Sequence, residues 1–133
     1  MIVVGVDENG LGPLLGPLVT TAVGFELSRY RPERHGALGR ELGIDDSKNS
    51  AGFGQMALAE GVALALVEGV HGRPVRDLEA LFEALLLEGP AQLQRPCPAS
   101  SRPQCWSGGL ALPCFGGDVQ AGRERLEALL RRG

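Results

Sequence analysis

Ile2 to Val6 is a short β-branched apolar run, stopped by Asp7 and Glu8. Its length and residue types predict a buried strand ended by the two carboxylates. Asn9 to Pro17 reads Asn-Gly-Leu-Gly-Pro-Leu-Leu-Gly-Pro, a shaped turn or loop. Leu18 to Leu27 brings Val, Thr, Thr, Val and Phe in quick succession and predicts a second strand. Two strands joined in this way most simply form a hairpin. Ser28 to Arg40 reads as a loop, locally basic through Arg29, Arg31, Arg34 and Arg40. Gly43 to Ser50 is polar, with turn chemistry.

Apolar residues then recur at Met56, Ala59, Ala63, Leu64, Leu66 and Val67, predicting a helix over about Phe53 to Val70. Gly61 inside that helix costs about 1 kcal/mol relative to Ala. A second helix is predicted over roughly Val75 to Leu87, with Leu78, Leu81, Phe82, Leu85 and Leu86 on one face. Gly89 to Gly117 has no period and holds five prolines, all three cysteines and the only Trp. So long an irregular stretch reads as an insertion, a small module or a lid. Asp118 is placed to cap a last helix over about Val119 to Arg132, where Arg131 and Arg132 suit the negative end of the helix dipole.

Composition narrows the class. At 133 residues the chain suits one domain, over 1–133, with 89–117 as an irregular Cys/Pro-rich insertion. Hydrophobic residues at 44% and charged residues at 22% are ordinary for a globular protein, so wholesale disorder is not expected. The net charge of -3 excludes a protein that grips phosphates by bulk charge alone. Aromatics at 5% argue against wide base-stacking platforms. No apolar run reaches the ~18 residues of a membrane span, and Met1 to Asp7 has no positive n-region. A cytoplasmic protein is the expectation.

The chemistry concentrates in Gly5-Val6-Asp7-Glu8-Asn9-Gly10-Leu11-Gly12-Pro13, followed by Gly16-Pro17. Strand alternation would send Asp7 and Glu8 to opposite faces, whereas a turn at the strand end could bring both to one pocket. Buried carboxylates need a partner, and Mg²⁺ or Mn²⁺, which take oxygen ligands, are natural ones. The glycines would let a phosphodiester approach the backbone closely.

This passage resembles the N-terminal signature of the ribonuclease HII (type 2 RNase H) family, Gly-Ile-Asp-Glu-Ala-Gly-Arg-Gly-Pro, then Gly-Pro and a hydrophobic strand. The family's second signature, Asp-Ser-Lys ahead of a helix, is matched by Asp46-Ser47-Lys48. The resemblance covers about residues 1–70. It implies an α/β, RNase H-like fold with an N-terminal β-hairpin followed by helices. It also implies two-metal hydrolysis of RNA in RNA–DNA hybrids, or of DNA with embedded ribonucleotides. Asp7 and Glu8 would be catalytic metal ligands. Gly10, Leu11 and Gly12 would contact substrate, and Lys48 would sit near the site and pair with a phosphate. The chain departs from the family in three respects. Leu11 replaces the family's Arg and removes a rigid charged donor. Two further family aspartates have no counterpart with the expected surroundings, since Asp77 and Asp118 look like helix-start residues. The family's third strand is missing or displaced.

Each signal also has a plainer reading. Asp7 and Glu8 could be a turn acid and its solvated neighbour. Asp45, Asp46 and Lys48 could be a polar loop with a local ion pair, and the four arginines a solvated loop rather than a phosphate-contacting strip. Cys97, Cys105 and Cys114 are spaced by eight and nine, which argues against zinc, since structural sites favour close pairs and four ligands; a fourth would have to be distant, such as His71. Thiols buried with Trp106 and Phe115 are expected instead. His35 and His71 have no partner pattern. Two other classes stay open: a catalytically inactive RNase H-like nucleic-acid-binding or interaction domain, and an N-terminal fragment of a longer protein. Two more acids converging on Asp7 would favour the enzyme. Exposed apolar surface on the hairpin would favour the fragment.

Overall fold

A computed structural model describes residues 1–9, 19–50, 55–89, 91 and 110–133. Gly10, Leu11, Gly12, Cys97, Cys105 and Trp106 lie outside the described residues.

The hairpin is present. β1 (Ile2–Asn9) pairs antiparallel with β2 (Val19–Glu26), from Ile2 opposite Glu26 to Asn9 opposite Val19. Met1 and Leu27 extend the ladder, each donating its nitrogen to the other's carbonyl at 2.7 and 2.8 Å. The expectation of a buried strand ended by Asp7 fails on both counts. β1 runs on through Asp7 and Glu8 to Asn9. Ile2, Val4 and Val6, all on one face, are 72%, 57% and 63% exposed. The opposite face carries Val3, Val23 and Phe25, all half-buried. Among the described elements the hairpin packs against no helix. Apolar content sets β propensity, but burial needs a covering layer.

Ser28 to Arg40, read as a loop, is largely helix α1 (Pro32–Glu41). Its apolar signal is too thin for periodicity to find, because only Leu38 and Gly39 are buried. Its end chemistry is helical all the same: Pro32 opens it, Glu33 lies in the first turn and Arg40 in the last. α2 (Ser47–Ser50) is a single turn, followed by α3 (Met56–His71). Gly72 ends α3 in the left-handed region, at φ 69°, where its amide donates to Glu68 O. α4 (Leu78–Leu85) is shorter than the predicted helix. Residues 76–78 instead run antiparallel to 110–112, with Leu78 N donating to Leu110 O and Leu112 N to Arg76 O. α5 (Val119–Arg132) has the predicted bounds. Asp77 and Asp118 are N-caps, as their sequence positions suggested, accepting from the amides of Ala80 and Ala121 at 2.8 and 3.0 Å. The described chain is thus α/β: one hairpin, four helices of eight residues or more, and one helical turn.

The core is helical. α3 and α5 make the main contact, with Leu64, Ala65 and Leu126 buried beside Leu38 of α1 and Val75. Glycines let the two helices meet. A Cβ on Gly61 would lie 2.5 Å from Asp118 O, and one on Gly122 would overlap the Gly61 backbone. By helix propensity alone Gly61 is a cost. In the fold it is the residue whose missing side chain admits α5.

Gly61→Ala is therefore expected to destabilise by about 1–3 kcal/mol through overpacking. Gly69→Ala in the same helix, where a Cβ would meet nothing within 4 Å, should stabilise by about 0.5–1 kcal/mol. Urea unfolding midpoints of the two variants test this opposite pair of signs.

Candidate active site

Asp7 and Glu8 sit side by side near the end of β1, opposite Thr21 and Thr20 of β2. Both are exposed. With the strand unbroken through them, alternation sends their side chains to opposite faces of the ribbon. Asp7 Oδ1 accepts the backbone amide of Glu8 at 2.9 Å. Among the described residues no three His, Cys, Asp or Glu side chains come together in a way that could hold a metal ion.

Lys48 lies in α2, which packs against α3 and not against the hairpin. Local capping shapes this turn. Asp46 Oδ1 accepts from the Lys48 amide and Asp46 O from the Asn49 amide, both at 2.9 Å. Asn49 Nδ2 donates to Asp45 Oδ2 at 3.0 Å. The Asp46 amide, then the Asn49 side chain and last the charge of Arg40 hold the Asp45 carboxyl below its ordinary value, against the opposing pull of desolvation. The described contacts therefore give the Asp-Ser-Lys segment a helix-start role and do not bring Lys48 to Asp7 or Glu8.

The four arginines do not share one face. Arg31 and Arg34 fall on the side of α1 that carries buried Leu38, and Arg34 donates to Arg132 O at 2.5 Å. At about 100° per residue, Arg40 lies half a turn from Arg31. Arg132 in turn forks onto Glu41, with two bonds of 2.8 Å. His35 Nδ1 lies against the Arg31 backbone, 3.0 Å from its amide and 2.6 Å from its carbonyl, while its buried Nε2 has no hydrogen-bond partner among the described residues.

Sequence reasoning missed Glu60. Its carboxylate, on α3, accepts the backbone amides of Cys114 at 2.5 Å, Phe115 at 2.8 Å and Gly117 at 2.9 Å. Gly116, at φ 76°, turns the chain so that these amides converge. Burial pushes the Glu60 carboxyl up. The Gly117 amide, the Cys114 thiol and amide and the Phe115 amide outweigh that and hold it below its usual value. The Cys114 thiol bonds the same carboxylate and is pushed up by it, away from a reactive thiolate. Cys114 and Phe115 are exposed, not buried together as expected. The one available hint was an acid interrupting the small, apolar run of α3.

Among the described residues, no helix is long and apolar enough to cross a membrane. No family model and no solved structure matches the chain. Two curated proteins are similar over segments. Ribonuclease HII of Methanocaldococcus jannaschii is 44% identical over 48 residues, covering 36% of this chain and 18% of that protein. Ribonuclease HII of Mesorhizobium japonicum is 36% identical over 95 residues, covering 63% of this chain and 37% of that protein. The matched segments thus span well under half the length of either relative. The similarity supports a ribonuclease HII-like relationship for the segment.

A carboxyl whose acidity is raised on folding stabilises the fold at higher pH, and that contribution is lost as pH falls through its lowered folded value. Acid should therefore weaken the Glu60 anchor. Glu60→Gln is expected to cost about 1–3 kcal/mol at neutral pH. It should also flatten the decline of stability toward acid. Chemical unfolding at a series of pH values reads both effects.

Proposed function

We propose that this chain is a ribonuclease HII-like domain that hydrolyses RNA in RNA–DNA hybrid duplexes, including a single ribonucleotide embedded in DNA. The observation that carries the reading is the order of its parts. Asp7-Glu8 lies on the first strand of a hairpin, and Gly10-Leu11-Gly12 follows it. Asp46-Ser47-Lys48 then opens a helical turn just ahead of the long helix α3. Two segmental similarities to ribonuclease HII proteins support the same reading.

Asp7 and Glu8 are the candidate catalytic and metal-binding residues. Their hard oxygens suit Mg²⁺ or Mn²⁺. The described carboxylates, one on each face, do not fit a closed pair of metals. One carboxylate, several waters and a substrate phosphate do fit a single hard cation. Such a cation, when bound, would polarise the scissile phosphate and acidify a bound water. The remaining work falls to the chain. Asp7 would anchor that cation at the end of the ribbon. Gly10 and Gly12, lacking side chains, would admit the ribose, whose 2′-OH separates RNA from DNA. Leu11 would contact the substrate without the family's charged donor, which shifts recognition toward shape and backbone. Lys48 would pair with a phosphate as a compact point charge.

The exposed apolar face of Ile2, Val4 and Val6 favours a second reading. In it the chain is part of a larger RNase H-like assembly whose further layer covers this face, and it binds nucleic acid without cutting it by itself.

The deciding experiment offers the chain a labelled DNA duplex with one ribonucleotide, in Mn²⁺. A nick on the 5′ side of the ribonucleotide is expected, falling at least about a hundredfold in Asp7→Asn. An intact duplex after incubation with folded protein would move the reading to the non-catalytic domain.

A further inference from the structure

The turn that carries Asp46-Ser47-Lys48 follows directly from the end of α1, and that end is closely held. Gly43, at φ 73°, donates its amide to Arg40 O at 3.0 Å, and the Ile44 amide donates to Gly39 O at 2.8 Å. The fit is tight: a Cβ on Gly39 would lie 2.7 Å from Ile44 O, and one on Gly43 2.7 Å from the Leu58 side chain of α3. Arg125 of α5 closes the arrangement, donating Nη1 to Leu42 O, the carbonyl of the α1 C-cap. Arg125 is half-buried and makes no ion pair among the described residues. Its charge therefore acts on that carbonyl, at the negative end of α1. Past Ile44 the bonds resume, with Asn49 Nδ2 on Asp45 Oδ2 and the Lys48 amide on Asp46 Oδ1.

We infer that Arg125 is a positioning residue for the Asp46-Ser47-Lys48 turn: by capping α1 at Leu42 O it fixes the direction in which the chain leaves that helix, and so where Lys48 stands to meet a substrate phosphate. The inference rests on the reading of Lys48 as a phosphate contact. Lys48 is exposed, and so flexible a side chain is placed chiefly through its backbone. A planar guanidinium suits the capping task because its donors are fixed in one fork. The contact joins residues 83 apart in sequence. It gives α5, which lies outside the segment that carries the family resemblance, a part in the candidate site as well as in the core.

The test is a double-mutant cycle on the full chain. Binding to a labelled DNA duplex with one ribonucleotide is measured over a range of salt, without divalent cation. Lys48→Met should lower the slope of log affinity against log salt by about one phosphate contact. Arg125→Met keeps the side-chain length and removes the donors. It should reproduce that loss, and the double variant should lose no more than either alone. Arg125→Lys, which keeps the cation, should retain part of what Arg125→Met loses. Hydrogen exchange of the Lys48 and Asn49 amides should quicken about tenfold in Arg125→Met, while the amides of Leu64 and Leu126 in the core keep their protection. Additive losses in the double variant overturn the assignment. So do unchanged exchange at Lys48 and Asn49, or exchange that quickens equally in the core, the mark of a merely structural role. The two levels fail separately. If Lys48→Met leaves duplex binding unaltered, or the folded chain binds no duplex, the phosphate reading of Lys48 falls, and amide exchange alone decides whether Arg125 places the turn.

Discussion

The helical part of the molecule depends on backbone meeting backbone where α3 crosses α5. Gly61, Gly117 and Gly122 lie at that crossing, and a Cβ on any of them would collide with main-chain atoms of the facing segment. Close approach lets small and aliphatic residues make a core without large rings. Leu64, Ala65 and Leu126 are buried there, and aromatics are few in the whole chain. Dispersion falls off steeply with separation, so moving the two helices apart by even a methyl group would forfeit contact along the whole crossing.

Polar groups fix what this crossing leaves free. Glu60 leaves α3 and collects the amides of residues 114, 115 and 117, so the chain returning to the core is tied one turn ahead of α5. Glu68 does the same elsewhere on α3, accepting from the Val75 amide and from Arg123 of α5. Charged acceptors bound to amides are stronger than neutral ones. Two acids on one helix thus replace part of the apolar area that a small core lacks. The exposed pairs, Arg73–Glu83 and Arg131–Glu127, add little by comparison.

The candidate site belongs to the other half of the molecule. Its carboxylates stand on a two-stranded ribbon that packs on no described helix, and a lone hairpin is marginal in water. The same β-branched residues that make the ribbon also leave it with one open apolar face. Chemistry and stability are therefore separated along the chain. A change at Asp7 touches no residue of the α3–α5 core, and a change at the crossing glycines acts on that core and not directly on the ribbon.

Local rules settled what local chemistry controls. The hairpin, the bounds of α5, and Asp77 and Asp118 as caps were legible because propensity, alternation and N-capping act within a few residues. The acid pair and Asp46-Ser47-Lys48 were legible as motifs for the same reason. Helix α1 was not, because its helical signals lie in end charges and not in an apolar stripe. Burial, convergence and approach were decided only by the tertiary structure. Whether Ile2 to Val6 is covered depends on a second layer, and whether Asp7 and Glu8 share a pocket depends on where β1 stops. Whether Gly61 is a defect or a contact depends on which backbone crosses it, and Glu60 could find its amides only once residue 114 was folded back beside residue 60. Each of these is a meeting of groups far apart in sequence, which no local pattern encodes.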